Sequence, residues 1–343
     1  MLVRVGAAVA LLCWSLAPAS AAETRSVTDG AGRQVQIPAR IERVFAAGSP
    51  AAITLFTLAP DKLLGWTAPL NDEEKAYLPA RAAALPVLGR LTGRANTANV
   101  ESVLAAKPDL IVDLGDVDPT HVSLAERTQA QTGIPYLIYD GKLDRTPELY
   151  AALGDALGEP QKARELADYA RRVLAELRDG MARIDAAHRP RVYYARGPDG
   201  LETALEGSIN AEILDYVGAE NVAASADRHN LATASPEQIL AWDPEVIITL
   251  DERFYRAVWT SPVWQGVKAV RDRRVYLAPA VPFPWFDEPP AVNRLIGLRW
   301  LAALLRPEVF GRDLRETAGD FYARFYHVHL SEPQLDHLLR PAL

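Results

Sequence analysis

Hydrophobic and polar residues alternate over residues 27–37, and the alternation is interrupted at Asp29-Gly30 and Ala31-Gly32. This pattern predicts a β-hairpin that turns at the two glycines. Short apolar segments follow and predict buried strands, and the residues before and between them have helical periodicity. Ser49-Pro50 predicts a helix capped by Ser49 with Pro50 at its first position. The predicted strands of this first half are residues 44–47, 63–66, 109–114 and 136–139.

The alternation of strands and helices stops between residues 147 and 187, where two helical patterns follow one another. The first covers residues 147–157 and ends at Gly158-Glu159-Pro160. The second covers residues 161–187 and has apolar residues at steps of three and four, so that one face is buried. At 1.5 Å per residue this helix would span roughly 40 Å, enough to brace two α/β blocks.

Beyond Pro190 the alternation resumes, with predicted strands at 191–195, 246–250 and 275–277 and an apolar-faced helix within 291–305. Strands that alternate with helices favour parallel sheets covered on both faces. We therefore predict an α/β protein with two Rossmann-like lobes, each with a central parallel sheet, joined by one long α-helix. The predicted divisions are a leader at 1–22, an N-terminal lobe at 23–145, linker helices at 146–188 and a C-terminal lobe at 189–343.

An internal repeat supports the two-lobe prediction. Residues 97–114 and 233–250 align without gaps at an offset of 136, and 8 of the 18 positions are identical. Each copy reads as a capped helix, a proline and a buried strand. Glu101 and Glu237 occupy the same position in the first helical turn, where a carboxylate complements the helix dipole. A second interpretation is a pair of matched exposed acids that dock a partner with two matched basic sites.

Composition and the N-terminus narrow the class of protein. The chain has 343 residues, 44 of them acidic and 37 basic, and this acidic balance argues against nucleic-acid binding. Arg4, the apolar residues 5–16 and Ala19-Ser20-Ala21 predict a cleaved secretory leader, with cleavage near Ala21 or Ala22, and hence a periplasmic protein. The single cysteine, Cys13, lies in this leader, so disulfides and thiolate sites are not expected in the mature chain.

The repeat motif with Lys107-Pro108-Asp109, the long helix in the middle of the chain and Pro289-Pro290 followed by Asn293 resemble one known family. The chain is similar to the periplasmic substrate-binding proteins of ABC importers for iron-siderophores and cobalamin. The resemblance covers about residues 27–340. It implies two lobes on one rigid helix, a ligand in the cleft and little closure. It also implies docking of a permease dimer through one glutamate on each lobe, which matches Glu101 and Glu237.

Ligands of α/β sheets bind beyond the carboxyl ends of the strands, and this rule selects eight loops here. Residues 89–96 place Arg90 and Arg94 in a glycine-containing loop before a helix, and Arg196 follows a strand of the second half. Guanidinium groups and free backbone N–H groups suit oxyanions. The selected loops are residues 47–50, 66–69, 89–96, 115–116, 196–203, 227–231, 251–255 and 282–288.

Aromatic residues near these loops suggest a flat or apolar ligand. The candidates for ligand contact are Trp66, Tyr194, Trp285 and Phe286, although core packing is an equal alternative for Phe286. Arginines together with aromatics favour an anionic chelate, most simply a ferric siderophore, as the ligand, with no covalent cofactor. Molybdate or tungstate would leave the aromatics unused, and neutral cobalamin would leave the arginines unused; haem is a further alternative.

Other classes of function are less well supported by the residues. No direct metal site is expected, because only His327 and His329 are close together in sequence; His121 and His229 fall in loops that face the predicted cleft. No Gly-x-Ser-x-Gly elbow is present, and no enzymatic activity is predicted. A periplasmic ligand sensor remains an alternative to a transporter component. The sequence predicts a monomer that carries a small-molecule chelate or oxyanion.

Overall fold

The computed structural model describes residues 23–93, 96–184, 189–223 and 231–339. The chain begins with an antiparallel hairpin of β1 (Thr24–Thr28) and β2 (Gln34–Pro38), as the alternation predicts. The Asp29 carboxylate accepts hydrogen bonds from the backbone N–H groups of Ala31 and Arg33, both at 3.0 Å, and so shapes the turn. Gly30 donates to the Ile138 carbonyl at 2.8 Å, which joins the hairpin to the first lobe.

The first lobe is built on a three-stranded parallel sheet of order β3-β4-β5. Residues 63–66, predicted as a strand, make only isolated bridges, Val44 to Leu63 and Trp66 to Val87. The strands are β3 (Val44–Ala46), β4 (Leu110–Gly115) and β5 (Tyr136–Asp140). The helices of this lobe are α1 (Ser49–Leu58), α2 (Asp72–Lys75), α3 (Ala80–Ala83), α4 (Val100–Ala106) and α5 (Pro119–Thr132).

Two helices, α6 (Thr146–Leu157) and α7 (Pro160–Met181), follow a short 3₁₀ turn and connect the lobes. They pack closely because Gly154 has no side chain: a Cβ there would stand 2.2 Å from the Cβ of Ala163. α7 has 22 residues and is about 33 Å long, shorter than the pattern predicts. Beyond it the backbone tightens, and Ile184 donates to the carbonyl of Met181, three residues earlier.

The second lobe contains a four-stranded parallel sheet of order β11-β10-β6-β8 and a small antiparallel pair, β7 with β9. The three strands predicted in this half are present as β6, β10 and β11. The strands are β6 (Arg191–Ala195), β7 (Glu202–Ala204), β8 (Glu220–Asn221), β9 (Leu231–Thr233), β10 (Val246–Thr249) and β11 (Val275–Leu277). The helices are α8 (Glu212–Tyr216), α9 (Pro236–Trp242), α10 (Glu252–Ala257) and α11 (Lys268–Arg271).

The last helices return across the linker to the first lobe. The rings of Phe325 and Tyr150 lie 6.2 Å apart and those of Tyr326 and Phe56 6.4 Å apart, so a C-terminal aromatic cluster packs against α6 and α1. The structure thus joins residues of the predicted C-terminal lobe to the N-terminal one. These helices are α12 (Arg294–Leu305), α13 (Pro307–Phe310), α14 (Arg315–Phe321) with a π-helical continuation (Tyr322–Tyr326), and α15 (Glu332–Leu339).

The internal repeat has the same local geometry in both lobes. Asn99 caps α4 and Ser235 caps α9, each in a capping box with the third helical residue. Each helix ends at a left-handed residue, Lys107 (φ 48°) or Asp243 (φ 39°), before the proline and the strand. The repeat therefore places one short capped helix at the same point of each lobe's sheet.

Candidate ligand-binding cleft

A cavity of about 680 Å³ lies between the lobes, at the carboxyl ends of β3, β4, β6 and β10. Seven of the eight loops selected from the sequence contribute to its lining, and the exception is residues 66–69. First-lobe residues in the wall include Gly48, Ser49, Pro50, Arg90, Thr92, Asp113 and His121. Second-lobe residues include Arg196, Glu202, Asn210, Asp251, Arg253 and Glu288.

The N-terminus of α1 forms part of the first-lobe wall, where its backbone N–H groups and helix dipole favour an anion. Gly48, not Ser49, is the N-cap, and Ser49 is the first helical residue. The Ser49 hydroxyl instead shares a hydrogen bond of 2.7 Å with the Thr67 hydroxyl. A Cβ at position 48 would stand 2.6 Å from Oγ1 of Thr92 and would displace that hydroxyl.

Arg90 lies in a loop held against the start of α1. Leu91 and Thr92 both donate their backbone N–H groups to the carbonyl of Ala47, at 2.7 and 3.1 Å. The Arg90 carbonyl accepts from the N–H groups of Thr97 and Ala98, both at 3.0 Å, which closes the loop on itself. Arg90 thus reaches the cavity from a fixed backbone, whereas Arg94 lies outside the described residues.

Asp113 is a buried acidic residue in the part of the cavity wall that belongs to the first lobe. Its Oδ1 accepts from the Thr92 hydroxyl at 2.9 Å and from the Leu114 N–H at 3.0 Å, and its Oδ2 accepts from the Tyr136 hydroxyl at 3.2 Å. Burial raises the pKa of Asp113 above its usual value, although these hydrogen bonds act in the opposite direction. Asp116 also lines this wall, so the first lobe contributes two acidic side chains to the cavity beside Arg90.

Arg196 lies in the second-lobe wall, but three carboxylates of its own lobe neutralise it. Its guanidinium pairs with Glu202 at 2.8 Å, with Glu288 at 2.9 Å and with the fully buried Asp287. It also lies 5.4 Å from the ring centroid of Tyr194. Burial raises the pKa of Glu288, and Arg196 opposes this shift. Arg196 therefore organises the wall before any ligand arrives.

The aromatic candidates pack in the core and do not line the cavity. Trp66 is 5.4 Å from the ring of Phe56, and its indole N–H donates to the Ala82 carbonyl at 2.8 Å. Trp285 and Phe286 are fully buried, and Phe286 packs 4.5 Å from the ring of the buried Tyr194.

The physical reason lies in α12, which the segment 282–288 crosses closely. A Cβ on Gly297 would stand 1.8 Å from the Trp285 carbonyl oxygen, and Asn293 donates to the carbonyls of Pro284 and Pro289. The aromatic side chains of this segment are therefore directed inward, and its Glu288 reaches the cleft.

Sequence reasoning missed Asp113 as a cleft residue, and it selected the loop of Thr92, residues 89–96, without singling out Thr92. Asp113 could have been recognised from the sequence, because an acid within a buried apolar strand costs free energy unless its carboxyl group is hydrogen-bonded. His121, predicted in a loop facing the cleft, does line the cavity, but it lies in the first turn of α5 and not in a loop. Within the described residues no group of three His, Cys, Asp or Glu side chains is arranged to hold a metal ion. His229 lies outside those residues.

Glu101 and Glu237 are exposed in the first turns of α4 and α9. A hydrogen bond with Ser235 holds the pKa of Glu237 below its usual value. None of the described helices has both the length and the apolar character that a membrane span requires. Residues 1–22, the predicted leader, are not among the described residues.

Comparisons with known proteins match the chain over most of its length. A family model described as periplasmic binding protein matches residues 58–282. The molybdate-binding protein MolA of Haemophilus influenzae is 28% identical over 90% of this chain and 93% of its own length. The haem uptake protein IsdE of Staphylococcus aureus is 24% identical over 68% of this chain and 79% of its own length. An ABC transporter solute-binding protein from Sulfurospirillum deleyianum superposes with a TM-score of 0.84 at 30% identity, over 92% of this chain and 99% of that structure.

Proposed function

The chain belongs to the periplasmic binding protein family as the substrate-binding component of an ABC importer, and from this premise we propose that its cleft captures an oxyanion of the molybdate class. The observation that carries the proposal is the first-lobe wall, where the N-terminus of α1, the Thr92 side chain and Arg90 meet at one end of the cavity. Helix N–H groups and a guanidinium are suited to an oxyanion.

The burial of the four aromatic candidates also supports an oxyanion. The sequence disfavours molybdate only because this ligand would leave exposed aromatic side chains unused. Trp66, Tyr194, Trp285 and Phe286 are buried and satisfied by core contacts, so this objection no longer applies. The similarity to a molybdate-binding relative over 90% of the chain points in the same direction.

An anionic iron chelate is the second candidate. The cavity of about 680 Å³ falls within the range of sites for organic ligands and exceeds what one small oxyanion needs. A haem uptake protein is also among the relatives. The same first-lobe wall would then hold the anionic groups of the chelate.

Calorimetric titration of residues 23–343 distinguishes the oxyanion from the iron chelate. The ligands to titrate are molybdate, tungstate, sulfate, haemin and a ferric siderophore. We expect saturable binding of molybdate or tungstate, and Arg90→Ala should weaken it by about 1.5–3 kcal/mol, a 10- to 150-fold rise in Kd. Arg171→Ala, an exposed substitution on α7, is the matched control and should leave Kd unchanged. Saturable binding of the siderophore with no response to either oxyanion would transfer the function to the second candidate.

For delivery, we propose that Glu101 and Glu237 pair with basic side chains of the two permease subunits. The proposal is supported by their exposure and by their equivalence in the repeat. Glu101→Lys with Glu237→Lys should abolish uptake in a reconstituted transporter yet leave ligand affinity unchanged, because both side chains lie outside the cavity wall. Loss of ligand affinity in this double variant would contradict the assigned role.

A further inference from the structure

Two exposed leucines occupy equivalent positions of the repeat. Leu104 is 45% exposed and Leu240 44% exposed, and they are two of the four large hydrophobic side chains exposed in the described part of the chain. They are 136 residues apart, the offset of the repeat itself. Isolated exposed leucines are ordinary in soluble proteins. Two at matched positions, with nearly equal exposure, point to a shared role.

Each leucine lies one helical turn from the acid of its helix. Leu104 follows Glu101 by three residues, and Leu240 follows Glu237 by three, so each pair shares a helix face. Both helices have seven residues, the same capping box and the same left-handed C-cap. Each lobe therefore presents an acid and an apolar side chain side by side in the same relative geometry.

The packing beneath the two helices keeps these leucines directed outward. The preceding residues, Val103 and Ile239, are fully buried against the sheets and anchor the helices. Leu240 also lies over Gly266, where an added Cβ would stand 2.8 Å from its Cδ2 atom. These side chains thus stand on rigid helices and need no rearrangement to meet a partner.

We infer that Leu104 and Leu240 form the apolar half of the docking surface and insert into two matching apolar sites of the ABC permease dimer, each beside a basic side chain. The inference rests on the proposed docking through Glu101 and Glu237. Two matched pairs of acid and leucine require a partner that offers one basic and apolar site twice, as two copies or two similar halves do. Charges mainly accelerate association, whereas buried apolar contacts slow dissociation, so the two kinds of side chain contribute differently.

Surface plasmon resonance on the permease complex in lipid nanodiscs tests this division. The mature chain is compared with Leu104→Ser/Leu240→Ser and with Glu101→Gln/Glu237→Gln. Val87→Ser, which changes a side chain 50% exposed outside both helices, is the matched control. We expect the leucine variant to dissociate at least tenfold faster at an unchanged association rate, and the glutamate variant to associate more slowly with a weaker dependence on salt. The control should behave like the unsubstituted chain.

Each other outcome overturns a specific claim. If the leucine variant dissociates like the unsubstituted chain while the glutamate variant associates more slowly, the role of the leucines is wrong and the proposed function stands. If the unsubstituted chain does not bind the permease, both the role of the leucines and the proposed docking through the glutamates are wrong. A dimer of the chain in analytical ultracentrifugation that Leu104→Ser/Leu240→Ser dissociates would assign the surface to a second copy instead. Thermal melting of all variants verifies that they fold.

Discussion

At the residue scale, Arg196 has a structural role that its position in the cleft does not suggest. It is 7% exposed and neutralises Asp287, which is fully buried. Removal of one partner of a buried ion pair leaves an uncompensated charge, which typically costs 3–5 kcal/mol. We expect Arg196→Ala to lower the free energy of unfolding by about that amount in urea denaturation.

Arg253→Ala is the matched control, because Arg253 also lines the cavity but its side chain is 75% exposed and pairs with Asp251 at the surface. It should change the free energy of unfolding by less than about 1 kcal/mol. Equal effects of the two substitutions would show that the Asp287 pair contributes no more than a surface ion pair.

Asp113 makes the stability of the first lobe depend on pH. Its pKa is raised in the folded state, so that the native protein holds this proton at pH values where the unfolded chain has lost it. Stability from this group is therefore lost as pH rises from the usual value of 3.8 toward the folded pKa. We expect the free energy of unfolding of the wild type, relative to Asp113→Asn, to fall across that range in urea denaturation. A difference independent of pH would mean that the pKa of Asp113 is the same in the folded and the unfolded chain.

Residue type alone identifies the arginines as cleft candidates, but it does not tell whether an aromatic residue contacts the ligand or packs in the core. A guanidinium such as that of Arg90 needs water, an anion or an acid, so its place near a strand end is informative. An indole or phenyl ring is stable either in a core or against a ligand. The choice for Trp285 depends on the missing side chain of Gly297, twelve residues later, and on its contact with the Trp285 backbone.

At the element scale, the contact between α12 and the segment 282–288 positions one wall of the cleft. Gly297→Ala would raise helix propensity, yet the new Cβ would stand 1.8 Å from the Trp285 carbonyl oxygen. We therefore expect a net loss of stability, with reduced ligand affinity because Glu288 is displaced. Gly319→Ala on α14, with no atom within 4 Å of its added Cβ, is the control and should raise the free energy of unfolding by up to about 1 kcal/mol. Thermal and urea denaturation measure the stability of both variants, and calorimetric titration measures their ligand affinity. Equal stability and equal affinity of the two variants would contradict this expectation.

Elements with local signals were predictable, and those defined by distant contacts were not. The hairpin, the strands at 109–114 and 191–195 and the capped helices of the repeat follow from alternation, apolar runs and capping residues. The apolar periodicity of α7 continues to Ile184, but the helix ends at Met181. Residues 63–66 have the composition of a strand, yet they meet their neighbours only in isolated bridges.

At the scale of the whole molecule, a buried arginine ties the lobes together below the cleft. Arg294 donates to the carbonyl of Gly141, at the end of β5, at 2.6 Å, and to the carbonyl of Ile209 and the carboxylate of Glu212, both at 2.9 Å. Glu212 in turn accepts from the Leu143 N–H at 2.9 Å. This network crosses from the second lobe to the first and connects them directly.

We expect Arg294→Met to widen the distribution of distances between the lobes. Spin labels on Glu126→Cys and Arg256→Cys, exposed on α5 and α10, report this distance, and residues 23–343 contain no cysteine of their own. Arg299→Met is the matched control, because it lies on the same helix but pairs with Glu176 of α7. Distributions of equal width in the two variants would contradict a restraining role for Arg294.

The equivalence of α4 and α9 affects the number of orientations in which the protein can dock on a symmetric partner. A partner made of two identical subunits offers the same site on either side of its two-fold axis, so α4 fits one site or the other and α9 takes the remaining one. Docked through α4 and α9 as proposed, the protein would have two orientations related by half a turn. This degeneracy contributes RT ln 2, about 0.4 kcal/mol, to the binding free energy. Because the cavity lies between the two lobes that carry these helices, docking as proposed would present the ligand at the same place on the partner in either orientation.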